Sequence, residues 1–329
     1  MNGKKKTMRA VIEIIIAVLV IIAVYFIIRG MDRHDVCIRQ AATENEMQRV
    51  WKEFQEKPVS IKLHKKTWKF AHPVQTYLFI GTDKSGNEDA EEEKAYGILQ
   101  LNRDTITEVP MLLQDGSANA SAQMQLCTAH WYGKDKAASC DNTVETVSKM
   151  LGGLPIDGYY ALKMDAMPLL NHEVGGVTVT LEDDMTKLDP AMKKGATLTL
   201  TDRQAELLMQ SRYVMDDDRN TQRMRRQQIF LNAFMKKIKK QNAGDINAAV
   251  KLYDRLRPYA TTDIKMNDLT ALLKDMQGYT DKGIITIDGT SKIGEKLHDG
   301  KKHWEFYMDE DSLETSMKQL YPLVQEKGK

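Results

Sequence analysis

Residues 97–112 read GILQLNRDTITEVPML. A short apolar run ends in the polar break Asn102-Arg103-Asp104-Thr105, and an extended segment follows it. That is the pattern of a buried strand, a turn rich in charge, and a second strand. Upstream, Tyr77-Leu78-Phe79-Ile80 forms another apolar strand with Gly81-Thr82-Asp83 at its end, and residues 87–94 (NEDAEEEK) form an acidic surface loop. Downstream, residues 141–151 (DNTVETVSKML) read as a helix capped by Asp141 or Asn142, with Val144, Val147 and Leu151 on one face. Val177, Val179 and Leu181 alternate as a strand, and residues 195–200 (GATLTL) give another. Thr201 and Gln204 form a capping box, and a long helix runs from about Asn220 to Lys240 on a stripe of Met224, Leu231, Met235 and Ile238. Strands and helices interleave throughout, as in a layered α/β or α+β fold.

The N-terminus has a different character. Val11 to Ile28 is VIEIIIAVLVIIAVYFII, with Glu13 as its one charge. At about 1.5 Å per residue it spans roughly 27 Å, close to the hydrocarbon thickness of a bilayer. Lys4, Lys5, Lys6 and Arg9 precede it, which orients residues 1–10 to the cytoplasm and the remainder outside. No small-residue cleavage site stands before Arg29, so the segment reads as an uncleaved anchor. Residues 29–70 read as an extracellular helical stalk. The net charge of +1 excludes a global field for nucleic acid, and the hydrophobic content of 42% is that of a globular chain. Seven scattered histidines without metal-ligand spacing argue against a zinc centre. Of the three cysteines, Cys127 and Cys140 are close enough in sequence to close a loop, and three unpaired thiols fit equally well.

Two places concentrate Arg and Asp. One is the Arg103-Asp104 break. The other is Arg212 to Arg226 (RYVMDDDRNTQRMRR), where Arg219, Arg223 and Arg226 share a helix face near its N-terminus. Three guanidiniums beside a helix N-terminus make a plausible phosphate cradle. Pairing with Asp216, Asp217 and Asp218 on a solvated face is the simpler reading of the charges alone. Asp83 and Asp104, both at strand ends, could share Mg²⁺, which takes one or two carboxylates plus phosphate oxygens. Each could equally be a turn aspartate capping local N–H groups.

Taken together, FIGTDKSG, LNRDTITEVP, DNTVETVSKMLGGLPIDGYYALKMDA, VGGVTVTLEDDM, GATLTLTDRQAELL and the R-x-x-R-Q of Arg223, Arg226 and Gln227 resemble the LytR–CpsA–Psr family of bacterial envelope proteins. The resemblance runs from about Thr76 to Lys240. It implies an α/β/α sandwich with a central mixed sheet over residues 71–242, with residues 243–329 a C-terminal extension packing on it. It also implies a cell-membrane phosphotransferase that moves a glycopolymer from a polyprenyl-pyrophosphate carrier to peptidoglycan, assisted by Mg²⁺. Carried onto this sequence, Arg103 and Asp104 fall in the Arg-Asp-Thr motif as catalytic residues. Arg212, Arg223, Arg226 and Gln227 fall in the later arginine motif as substrate ligands, joined by Arg219 from the helix-face reading. Asp83 falls in the first-strand motif and, with Asp104, takes the metal. The sequence departs from the pattern in three ways. A strand and its Asp before LQLNRDT are missing, Gln210 stands where one of two paired arginines is usual, and Asn102 replaces a proline. The alternative reading is a catalytically degenerate relative that binds such lipids, glycans or a partner.

Overall fold

The computed structural model describes residues 59–81, 95–112, 118–211, 220–242, 246–265, 280–297 and 299–326. The proposed cytoplasmic tail, the anchor 11–28, most of the stalk, Cys37, Asp83, the acidic loop, Arg212 and Arg219 lie outside the described residues. Residues 59–329 form one compact unit.

Fourteen strands are described. They are β1 (Ser60–Leu63), β2 (Lys66–Phe70), β3 (Tyr77–Gly81), β4 (Ala95–Gln100), β5 (Ile106–Leu112), β6 (Ala118–Gln125), β7 (Gly158–Leu162), β8 (Thr178–Thr180), β9 (Thr197–Thr199), β10 (Ala260–Thr262), β11 (Thr280–Thr286), β12 (Gly289–Gly294), β13 (His303–Met308) and β14 (Leu323–Gln325). The α-helices described are α1 (Lys136–Met150), α2 (Met167–Glu173), α3 (Asp202–Gln210), α4 (Asn220–Asn242), α5 (Ile246–Leu256) and α6 (Glu310–Leu320).

The domain is a mixed α/β structure. β3 pairs parallel with β7, β7 antiparallel with β10, and β4 parallel with β11. β5–β6, β8–β9 and β12–β13 are antiparallel pairs. Residues after 243 are therefore threaded into the sheets, since β10 and β11 hydrogen-bond strands from residues 158–162 and 95–100.

Residues 60–70, at the end of the segment read as a helical stalk, fold instead as a hairpin. Ile61, Leu63, Trp68 and Phe70 alternate inward, and His64 and Lys65 take positive φ at the turn. That period-two burial fits a strand pair and not a helix. β14 adds to β2 as a third strand. Gly152 closes the end of α1 against this hairpin. Its φ is +76° and an added Cβ would lie 2.1 Å from the Lys62 carbonyl oxygen, so only glycine fits. α6 packs above, where buried Glu314 accepts from Lys66 at 3.1 Å and from Lys318 at 2.6 Å.

α1 starts earlier than its sequence suggested. Asp135 is the N-cap, accepting from the Ala138 amide at 2.9 Å. Asn142 is an interior helix residue, and its amide donates to the carbonyls of Pro110 (3.1 Å) and Ala129 (2.8 Å). α3 carries the expected capping box of Thr201 and Gln204, and α4 spans the expected residues. α2, β8, β9, α3, α4 and α5 enclose an apolar core, with Val177, Met185, Met192, Leu208 and Phe230 at its centre. Among the described residues no helix is long and apolar enough to cross a membrane.

Candidate active site

The candidate site is built where β4 ends and α4 begins. Asn102, the first buried residue after β4, organises the turn. Its side-chain oxygen accepts from the Asp104 amide at 3.0 Å, and its carbonyl accepts from the Thr105 amide (3.0 Å) and hydroxyl (2.5 Å). This is an Asx-type turn, which Asn forms readily. The backbone of the Arg-Asp-Thr motif is held at three carbonyls by two segments. Cys127 N–H donates to the Arg103 carbonyl at 2.9 Å, Leu126 N–H to that of Thr105 at 2.7 Å, and Phe306 N–H on β13 to that of Asp104 at 2.8 Å. A fixed backbone leaves little freedom for the side chains it carries.

Those side chains stay reachable. Arg103 is 32% exposed and Asp104 is 15% exposed, with Arg103 Nε 3.4 Å from Asp104 Oδ1. Arg103 Nη2 also lies 3.0 Å from Cys127 Sγ. No disulfide joins Cys127 to Cys140. Cys140 is buried in α1, and burial, with Asp141 and Asp263 nearby, pushes its thiol up to about 11.

The second half of the site comes from α4. Asn220, its first residue, donates to the same Asn102 side-chain oxygen at 3.0 Å and accepts from Arg223 Nη2. Two asparagines thus join the Arg103-Asp104 turn to Arg223 across more than a hundred residues of chain. One turn of helix further on, Gln228 donates to Gln100 at the end of β4 (2.8 Å).

Arg226 faces inward from the same helix with a different set of partners. Its guanidinium donates to Asp183 at 2.8 Å and to the carbonyls of Ser211 (2.5 Å) and Leu208 (3.3 Å). It ties α4 to the end of α3 and to the segment after β8. Gln227 donates to the Met209 carbonyl at 2.7 Å, and its buried Oε1 has no hydrogen-bond partner among the described residues. Of the expected site residues, the structure therefore joins Arg103, Asp104 and Arg223 through one hydrogen-bonded path, and sets Arg226 and Gln227 behind them against α3. Asn102, Asn220 and Asp183 were not singled out for these roles. The Asn directly before the Arg-Asp pair was the available signal for the turn.

Among the described residues no group of three His, Cys, Asp or Glu side chains could hold a metal. Asp104 offers one carboxylate beside two guanidinium-bearing elements. That matches part of a Mg²⁺ donor set, which is completed by a second carboxylate and substrate oxygens. Chemically, two guanidiniums and a carboxylate at the start of a long helix make a site for a phosphate anion whose charge must be neutralised.

Solved structures share this fold. B. subtilis TagV is 21% identical with a TM-score of 0.51, covering 75% of this chain and 95% of its own. TagT bound to LIIa-WTA is 18% identical with a TM-score of 0.52, covering 75% of this chain and 89% of its own. An Enterococcus faecalis protein described as transcriptional regulator EF0465 is 17% identical with a TM-score of 0.53, covering 75% of this chain and 87% of its own. No curated protein matches the sequence. The family model LytR_cpsA_psr matches residues 87–321, from before the Arg-Asp-Thr motif to the end of α6, and the chain belongs to the LytR–CpsA–Psr family.

Proposed function

We propose that this protein is a membrane-anchored phosphotransferase that moves a glycopolymer from a polyprenyl-pyrophosphate carrier to peptidoglycan. The observation that carries the reading is the Asn102–Asn220 link, which couples the Arg103-Asp104 turn to Arg223 in one pre-arranged anion site. TagT, which shares the fold, is bound to LI-WTA and LIIa-WTA, wall teichoic acid lipid intermediates, and this supports a lipid-linked glycopolymer as the donor here. In this reading residues 11–28 span the membrane. The mixed α/β domain is an α/β/α sandwich outside it, so the enzyme sits where its lipid donor is confined.

The reaction joins an acceptor hydroxyl oxygen to the phosphorus that carries the glycopolymer. The P–O–P bridge breaks, polyprenyl phosphate leaves, and the hydroxyl proton is released. Such a transfer needs positioning and charge neutralisation more than covalent help. Arg103 and Arg223, with Arg212 and Arg219, bind the pyrophosphate. Arg226 and Gln227 support that site from behind through α3. Asp104, with Asp83, would hold Mg²⁺, which neutralises phosphate charge when bound. Asp104 also keeps the Arg103 guanidinium oriented.

A second reading is a degenerate relative that binds the donor without turning it over. Gln210, where the family pattern has an arginine, favours it. The test is mass spectrometry of a reaction containing the full chain in lipid nanodiscs, Mg²⁺, a polyprenyl-pyrophosphate-linked sugar and peptidoglycan oligomers. A sugar-phosphate adduct that disappears in Arg223→Ala establishes the transferase. Donor binding without an adduct, under conditions where a reactive family member turns over, leaves the binding protein.

A further inference from the structure

A 3₁₀ turn, Leu126–Trp131, leaves β6 directly beside the Arg103 motif. Its first residues are part of the site. Leu126 and Cys127 donate their amides to the carbonyls of Thr105 and Arg103, and the Cys127 sulfur meets the Arg103 guanidinium. Its far end is Trp131, which is 61% exposed. At roughly 2 Å of rise per residue, Trp131 stands about 8 Å along the turn from Cys127.

The support under this indole is rigid. The Thr128 hydroxyl donates to the Gln125 carbonyl at 2.7 Å, and buried Asn142 of α1 donates to the Ala129 carbonyl at 2.8 Å. The Tyr132 hydroxyl lies 3.9 Å from Met124 Sδ, and Thr143 lies 3.4 Å from His130 Nδ1. His130 thus turns towards α1, and burial lowers its pKa from the ordinary value. Trp68, by contrast, is buried, with Lys318 4.3 Å from its ring centroid. Trp131 therefore contributes little to the core while being held on a scaffold pinned from α1, β5 and β6. An exposed, pre-organised aromatic face suits a ligand with an apolar face.

We propose that Trp131 is the stacking platform of a saccharide subsite, and that it takes a pyranose ring of the acceptor glycan and delivers its hydroxyl towards the Arg103 site. This rests on the proposed glycopolymer transfer for the identity of the acceptor. The occupant follows from the position, because the platform is continuous in the chain with the turn that holds Arg103.

The test uses the full chain in nanodiscs and two separate binding measurements. An N-acetylglucosamine tetrasaccharide is titrated by saturation-transfer NMR, and a polyprenyl-pyrophosphate-linked disaccharide by calorimetry. Trp131→Ala is expected to weaken the tetrasaccharide roughly tenfold, the scale for losing one aromatic contact. Trp131→Phe retains most of the affinity, and donor binding is unchanged in both. Tetrasaccharide affinity equal in wild type and Trp131→Ala, or absent in wild type, overturns the subsite. Loss of donor binding in the wild type overturns the transfer reading instead, so the two failures are distinct.

Discussion

The two ends of α4 bury opposite kinds of side chain. Its first two turns place Asn220, Arg223, Arg226 and Gln227 out of solvent, and its next turns place Phe230 and Phe234 in the apolar core. Desolvating a guanidinium is costly unless nearly every donor finds an acceptor, whereas a phenyl ring gains from the same burial. The polar end is tolerable because Asn102, Asp183, Leu208 and Ser211 meet it with matched oxygens. One helix thus buries a hydrogen-bonded polar cluster beside the Arg103 turn at its start and anchors in the apolar core further along. What the two ends share is that neither can be changed without its neighbours.

Arg226→Ala is the strongest way to break the contrast. It leaves the Asp183 carboxylate and two carbonyls without their donor, and should destabilise the fold by about 3–5 kcal/mol, the range for a broken buried pair. Chemical denaturation at pH 7 measures it. Phe230→Ala tests the apolar end. It should cost about 3–4 kcal/mol through lost burial and a cavity. Donor affinity per folded molecule should stay at the wild-type level, measured by calorimetry below the unfolding transition.

Asn220→Ala sharpens the comparison at the functional end. Stability should fall by only about 1–2 kcal/mol for the lost hydrogen bonds. Donor binding should drop much further than that loss explains, because Arg223 is no longer linked to the Arg103 turn. The smallest effect is expected far from α4, at another buried charge. Lys318 and Lys66 hold the Glu314 carboxyl below its ordinary value of 4.5. A carboxylate whose folded pKa is depressed contributes stability that is complete above its unfolded pKa and is lost as pH falls through the folded one. Wild type should therefore lose stability more steeply than Glu314→Gln in thermal melts run from pH 5 downwards.

The same contrast explains what the sequence disclosed. The length of α4 and the capping box of α3 are local patterns that periodicity and spacing read directly, whereas the stripe is offset: Phe230 and Phe234 take the core, and Leu231, Met235 and Ile238 lie partly buried beside them. The N-terminus of α1 was misplaced because Asn142 looks like a cap. It is instead a buried donor to Pro110 and Ala129, and those partners are invisible until the fold is known. The hairpin of residues 60–70 was obscured because lysines between its apolar residues resemble a polar spacer. Arg223 and Arg226 have the same chemistry and stand three positions apart. Only distant partners, Asn102 reached through Asn220 for the one and Asp183 and Ser211 for the other, distinguish a side chain joined to the Arg103 turn from one clamped to α3.

The pairing of β4 with β11 also bears on how the chain is made. The strand that carries the Arg-Asp-Thr motif at its end lies parallel to residues 280–286, and β2 near the start of the domain awaits β14 at residues 323–325. During synthesis β4 lacks its partner strand until residues 280–286 have emerged. Such late, long-range closure folds slowly and leaves an edge prone to wrong partners. A chain cut short before residue 280 lacks the partner strand of β4, so the last fifty residues are needed to complete the sheet beside the Arg-Asp-Thr turn.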